Sequence, residues 1–269
     1  MTDMLIMIAT LAAAGLFAGF VAGLFGIGGG TVLVPALVFV FAHLGYDGPR
    51  LLHLAVGTSL GVIALTALRS AQAHRAHGAV DEGVLRDWRV WVALGAGIGA
   101  VGAMFVSRAA LGCVYGGLAL LVAAYMGLWP EGRVVRTTPP TGPARRVIAG
   151  GIGAASALMG VGGGAFGSAT LSLCGMPIHR AIATASGLGV FIAVPAMIGY
   201  ALHPAGAGQP PLSLGDVNLP GLVVLGLFSV ITAPMGARLA HLLDRTALRR
   251  AFAIYMLITA GYVVVKSAM

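Results

Sequence analysis

The sequence predicts an all-α polytopic membrane protein, built from two inverted repeats of about five helical segments each, with helices broken at glycine turns. Three observations carry this. Ten apolar runs lie five and five about a polar linker. Hydrophobic residues make up 58% of the chain and charged residues 9%, with a mean hydropathy of +0.96, whereas a soluble domain carries about 25% charge. Two short motifs recur in the same order in both halves. Such a composition excludes a soluble enzyme and a disordered chain. The net charge of +8 resides in short loops between apolar runs rather than on an extended basic surface, which excludes a nucleic-acid-binding domain.

The runs of the first half fall at 4–24, 30–44, 51–72, 89–107 and 110–128. A bilayer crossing needs about 20 such residues. Met1-Thr2-Asp3-Met4 lacks the positive start of a signal peptide, so the first run is read as a retained span. From Trp129 to Arg146 the chain turns polar, with Pro130, Pro139, Pro140 and Pro143 among four arginines. Runs at 147–160, 164–176, 180–202, 218–237 and 250–267 follow. The expected division is a first membrane repeat, 1–128, a cytoplasmic linker, 129–146, and a second membrane repeat, 147–269.

Gly26-Ile27-Gly28-Gly29-Gly30 stands between the first two runs, and Gly160-Val161-Gly162-Gly163-Gly164 stands in the same place in the second half. Further on, His53-Leu54-Ala55-Val56-Gly57-Thr58-Ser59 matches His179-Arg180-Ala181-Ile182-Ala183-Thr184-Ala185. Gene duplication explains both matches. With ten passes, thirteen of the sixteen basic residues fall on one side, leaving Arg50, Arg108 and Lys266 on the other. The positive-inside rule then puts the linker in the cytoplasm and both termini outside. An odd number of passes per half inverts the second half, as in many secondary transporters. Val147 to Met176 is too short for two full crossings, since helices of about 14 residues reach only about 21 Å of a core of about 30 Å. Broken helices with the glycine turn at depth fit better, where protein or a wet cavity surrounds the turn.

Among candidate site residues the glycine turns lead. Gly26, Gly28, Gly29 and Gly30, with Thr31, and Gly160, Gly162, Gly163 and Gly164 would let a ligand approach backbone N–H groups at a helix start, a natural anion site. Close helix packing is the competing reading, as for the Gly15, Gly19 and Gly23 ladder. Thr58 and Ser59, with Thr184 and Ser186, offer hydroxyl donors, and backbone bonding is their common alternative. His53 and His179 occupy matched positions and are candidates for anion contact or gating, or for interfacial capping. Arg69 could face a vestibule or snorkel to the interface. All eight acidic residues fall in loops or at run ends. Cation carriers place acids at the midplane, so an anionic solute is the physical inference. Cys113 and Cys174 read as structural thiols. No metal site, cofactor site or catalytic motif is found, and an enzyme is not expected.

The segments GLFGIGGGTVLVPAL (23–37), HLAVGTSL (53–60), GVGGG (160–164) and HRAIATAS (179–186) resemble the TauE/SafE family of sulfite and organosulfonate exporters. The resemblance spans nearly the whole chain. It implies a permease of the bacterial inner membrane for sulfur-containing anions such as sulfite, sulfoacetate or thiosulfate. Protons are a candidate coupling ion, and a homo-oligomer is compatible with the pattern. Uptake, a channel-like facilitator for another oxyanion or carboxylate, and a non-transporting membrane subunit stay open as alternatives. The second half departs from the AVGTS pattern, reading Ile182-Ala183-Thr184-Ala185-Ser186, so the two hydroxyl pairs are not equivalent.

Overall fold

A computed structural model of the 269-residue chain describes residues 2–25, 30–128, 134–204, 206, 208–240 and 245–269. Among these lie α1 (Thr2–Phe25), α2 (Gly30–His43), α3 (Leu51–Ala76), α4 (Glu82–Ala103), α5 (Arg108–Leu128), α6 (Gly142–Met159), α7 (Gly164–Leu173), α8 (Ile178–Ala201), α9 (Leu219–Ala240) and α10 (Arg245–Ala268). Each apolar run of the sequence became one helix. A hairpin of β1 (Ser213–Leu214) and β2 (Val217–Asn218) precedes α9.

Among the described residues, six helices, α1, α3, α5, α8, α9 and α10, contain stretches long and apolar enough to cross a bilayer. The 14 residues of α2 and the 10 of α7 are about 21 and 15 Å long at 1.5 Å per residue, short of a full crossing. Apolar side chains also point away from the molecule: Ile98 is 71% exposed, Leu121 65%, Leu227 60% and Ile258 67%. An apolar belt of this kind is unfavourable in water and is what a lipid-facing surface requires. The chain is a multi-pass membrane protein.

Helix ends follow local chemistry. The α4 helix begins at Glu82, seven residues before its apolar run, because Asp81 caps it by accepting the Val84 N–H at 3.1 Å. Arg86, Asp87 and Arg89 hide this first turn from a hydropathy reading. The α6 helix ends where Gly160 takes φ +67°, a left-handed conformation that glycine adopts at no steric cost.

The α3 and α8 helices pack against each other and are the most buried of the spans. Around them α1 packs on α9, α6 on α4, and α5 on α10. Each half thus lends its first helix to the other half's fourth. Gly19 of α1 lies against Ser229 of α9, and Gly153 of α6 against Val92 of α4; Gly236 of α9 meets Phe20 of α1, and Gly99 of α4 meets Ala154 of α6. The Gly15–Gly19 part of the ladder therefore serves packing, with Gly15 set against Leu225 and Phe228.

Charged residues gather at two ends. At one, Asp47 pairs with Arg108 and Lys266, and Arg50 pairs with Asp216. These are the three basic residues that the sequence set apart from the other thirteen. At the other end Arg75 pairs with Glu82, Arg145 with Asp87, and Arg180 with Asp81.

Candidate functional site

The site begins where the second glycine turn meets the first half. A Cβ at Gly30 would lie 2.7 Å from Val161 Cα and 2.8 Å from Gly160 O, so the start of α2 rests directly on the turn between α6 and α7. Ile63 of α3 fills the space beside both, close to Gly30 and to Gly162. Ser59 of α3 donates to Gly160 O at 2.9 Å, which ties the central helix to the turn. Gly163 backs onto Ala185 O and Gly189 N of α8 at 2.8 and 2.9 Å from an added Cβ. Gly160, Gly162 and Gly163 are buried, and Gly164 opens α7, whose N-cap Gly163 brings no side-chain cap. Gly163 has no side chain to cap the first N–H groups of α7, which project back toward the turn as helix-start N–H groups do. Gly26, Gly28 and Gly29 lie outside the described residues; Thr31, just beyond them, is buried.

Thr58 and Thr184, matched in sequence, are both fully buried. Thr58 Oγ1 accepts the backbone N–H of Asn218 at 2.9 Å, and Thr184 Oγ1 accepts the backbone N–H of Asp81 at 2.9 Å. Asn218 and Asp81 are themselves equivalent. Each precedes the fourth helix of its half, and each side chain accepts an N–H three residues on, from Gly221 at 2.7 Å and from Val84 at 3.1 Å. Each central helix is thus fastened to the other half's fourth helix by the same bond. Ser186 instead bonds within its own helix, to Ala183 O at 2.7 Å.

The other sequence candidates separate. His53 is buried, and its Nε2 lies 3.1 Å from Ala103 O and 3.0 Å from Val106 O, so it donates to carbonyls at the end of α4. His179, its counterpart, is exposed at the start of α8, and Arg69 is exposed on α3.

A cluster not anticipated from the sequence closes the Asp47 end. Asp216 sits in the hairpin turn, fully buried. Arg50 Nε reaches its Oδ1 at 2.9 Å, Gln209 Nε2 reaches the same oxygen at 2.9 Å, and His203 Nδ1 and Arg50 Nη2 both reach Oδ2. Burial works against the carboxylate, yet the hydrogen bonds from His203 and Arg50 outweigh it and hold the Asp216 carboxyl below its ordinary range. Gly215, at φ +54°, supplies the positive φ of the two-residue turn that presents Asp216. Beside the cluster a cavity of ≈ 630 Å³ is lined by Asp47, Arg50, His53, Ser107 and Arg108, among others. A smaller one of ≈ 270 Å³ opens at the Asp81 end between Arg75, Glu82, Arg86 and Arg89.

The profile of the family described as "Sulfite exporter TauE/SafE" matches residues 11–263. The chain belongs to the TauE/SafE family. A Haemophilus influenzae relative named "Probable membrane transporter protein" is 31% identical over 250 residues, 91% of this chain and 94% of its own length. A Methanocaldococcus jannaschii protein, also named a probable membrane transporter, is 24% identical across 92% of this chain and 91% of its own. No solved structure matches. Family membership and the apolar helices together make the chain a membrane transporter.

Proposed function

We propose that this transporter moves small sulfur-containing anions, such as sulfite, sulfoacetate or thiosulfate, out across the bacterial inner membrane by alternating access between two inverted repeats. The observation that carries the reading is the meeting of the two halves at the glycine turns. The start of α2 rests on Gly160 and Val161, and α7 starts four residues beyond Gly160 with no side-chain cap at Gly163. Helix starts of this kind favour anions without a charged side chain. The matched bonds of Thr58 and Thr184 support two related halves that part first at one end and then at the other. In this reading Gly26, Gly28, Gly29, Gly30, Thr31, Gly160, Gly162, Gly163 and Gly164 form the anion site, with Thr58, Ser59, Thr184 and Ser186 nearby. The Asp81 end is then cytoplasmic and the Asp47 end external. A negative interior favours export by about 2.3 kcal/mol per charge per 100 mV.

The test is solute flux in proteoliposomes, comparing sulfite, sulfoacetate, thiosulfate, sulfate and chloride under imposed pH and voltage gradients. Sulfur oxyanions are expected to move and to compete with one another, while sodium, potassium and divalent cations are not carried. Cation transport with no anion requirement would overturn the reading.

A further inference from the structure

The hydrogen-bond geometry at His203 fits two protonation states, each of which makes one of the two Nδ1 contacts a hydrogen bond. Its Nε2 lies 3.0 Å from the carbonyl of Ala100, a pure acceptor, so Nε2 carries a hydrogen. Its Nδ1 lies 2.7 Å from Arg50 Nη2, a pure donor, and 2.5 Å from Asp216 Oδ2, an acceptor when ionised. If Nδ1 is bare it accepts from Arg50, but then its lone pair confronts the carboxylate. If Nδ1 carries a hydrogen it donates to Asp216, and the ring is an imidazolium because Nε2 is already occupied. The two contacts cannot both be hydrogen bonds. We propose that His203 Nδ1 and Asp216 Oδ2 form a proton-binding site that ties proton uptake to closure of the Asp47 end of the transporter. The inference deepens the transport reading and rests on it for its biological meaning.

The surroundings fit. His203 and Asp216 are both buried, and the charged or titratable groups facing them are Arg50 ahead of α3, His53 on α3 and Tyr200 on α8. The hairpin adds Gln209, and α4 adds only the Ala100 carbonyl. With the proton bound, one anion stands between two cations, and His203 Nδ1 and Arg50 Nη2 both donate to Asp216 Oδ2 with no hydrogen bond between themselves. With the proton gone, a lone pair faces a carboxylate at hydrogen-bond range, a repulsion that low-dielectric surroundings strengthen. The hairpin bearing Asp216 belongs to the second half, and Arg50 belongs to the first. Loss of the proton therefore loosens the contact that joins the halves at this end. A route to water exists, because Arg50 and His53 both line the ≈ 630 Å³ cavity. The Nδ1 of His53 is buried with no hydrogen-bond partner among the described residues, and its ring lies 6.3 Å from that of His203. That bare nitrogen can hold a proton in transit between cavity and cluster.

Two measurements on the purified full-length chain in nanodiscs test this with the proton itself as probe. In the first, ¹⁵N-histidine NMR is scanned from pH 4 to 9. One imidazole, assigned by its disappearance in His203→Gln, is expected to gain and lose an Nδ1 proton, with its midpoint displaced in Asp216→Asn. A His203 ring whose protonation stays constant across the scan overturns the proposal. In the second, Cys113 and Cys174 are replaced and Val217, 2% exposed in β2, is changed to cysteine. Its labelling at pH 8.5 relative to pH 5.5 is compared with the same ratio in a His203→Gln background, which cancels the intrinsic ionisation of the thiol. At least a threefold larger rise with His203 present is expected; equal ratios overturn the link to closure. If Asp216→Asn does not fold, the wild type and His203→Gln still decide. Neither readout uses a transported solute, so an inactive sulfite assay counts against the substrate reading alone.

Discussion

The Thr58–Asn218 and Thr184–Asp81 junctions are the same bond made twice, yet their surroundings differ sharply. Behind Asn218 lies the fully buried Asp216, tied to Arg50, His203 and Gln209. Beside Asp81 there is one Arg180 contact at 3.2 Å, with the two side chains 53% and 28% exposed. His53 is buried near the first junction, and its match His179 is exposed near the second. Equivalent backbone geometry has thus been given a charged lock around a buried carboxylate at one end and a more exposed, loosely held pair at the other. Removing one partner of a buried pair costs several kcal/mol, whereas exposed pairs contribute at most about 1. The Asp47 end is expected to be the harder one to open, and the Asp81 end the easier.

The largest expected effect comes from breaking the lock. Asp216→Ala leaves Arg50 without its counter-charge and should lower stability by about 3–5 kcal/mol. Asp81→Ala removes a helix cap and an exposed pair, for about 1–2 kcal/mol. Thermal and denaturant melting of both variants in the same detergent compares them, and equal losses would erase the asymmetry.

The acid limb of stability sharpens the same contrast. The folded-state pKa of Asp216 lies below its unfolded value, so its contribution is complete above about pH 4 and is lost as pH falls through the lower folded value. Asp47 behaves alike, because the hydrogen bond from Lys266, opposed by partial burial and aided by Arg108, depresses its pKa. Melting temperature is expected to drop below pH 4, and Asp216→Asn should flatten that drop. An acid limb unchanged in Asp216→Asn would show that the carboxylate contributes no linked stability.

What the sequence revealed and what it hid divide along the same line. Ten helices were legible because each is an apolar run bounded by Gly, Pro or Arg. The matched glycines and threonines were legible because the same short motifs occur in the same order in both halves of the sequence. Arg50, His203 and Asp216 were not, since 166 residues separate the arginine from the aspartate and each alone reads as a loop residue. A signal was present nonetheless: Asp216 stands alone as the only acid between α8 and α9, with His203 as the only histidine there. The partners of Thr58 and Thr184 were hidden for a different reason, because both are backbone N–H groups, which no residue type announces.

The glycine turn offers an intermediate effect. Gly163→Ala places a Cβ against the backbone of α8, 2.8 Å from Ala185 O, and should cost about 1–3 kcal/mol while reducing flux. Gly151→Ala, with nothing within 4 Å, should be neutral or stabilise by up to about 1 kcal/mol. A Gly163→Ala protein with full stability and no flux would move the glycine from packing to solute contact. Thr58→Val and Thr184→Val each strip an acceptor from a buried N–H, at about 1–3 kcal/mol. Thr58 should be the costlier, since Asn218 is fully buried and Asp81 is not.

The smallest expected loss at either junction is that of Arg180→Ala. The pair it breaks is exposed, so each charge returns to water rather than to a dry interior, and the loss should stay below about 1 kcal/mol. Raising ionic strength from about 0.15 to 1 M shortens the screening length from about 8 to 3 Å. The wild-type advantage over Arg180→Ala should therefore shrink with salt. The difference between wild type and Asp216→Ala should persist, because ions do not reach a carboxylate with no exposed surface. Melting both variants at low and high salt reads the two junctions in one experiment. If Arg180→Ala is as damaging as Asp216→Ala, and as indifferent to salt, then both ends are locked alike, and the difference in their ease of opening disappears.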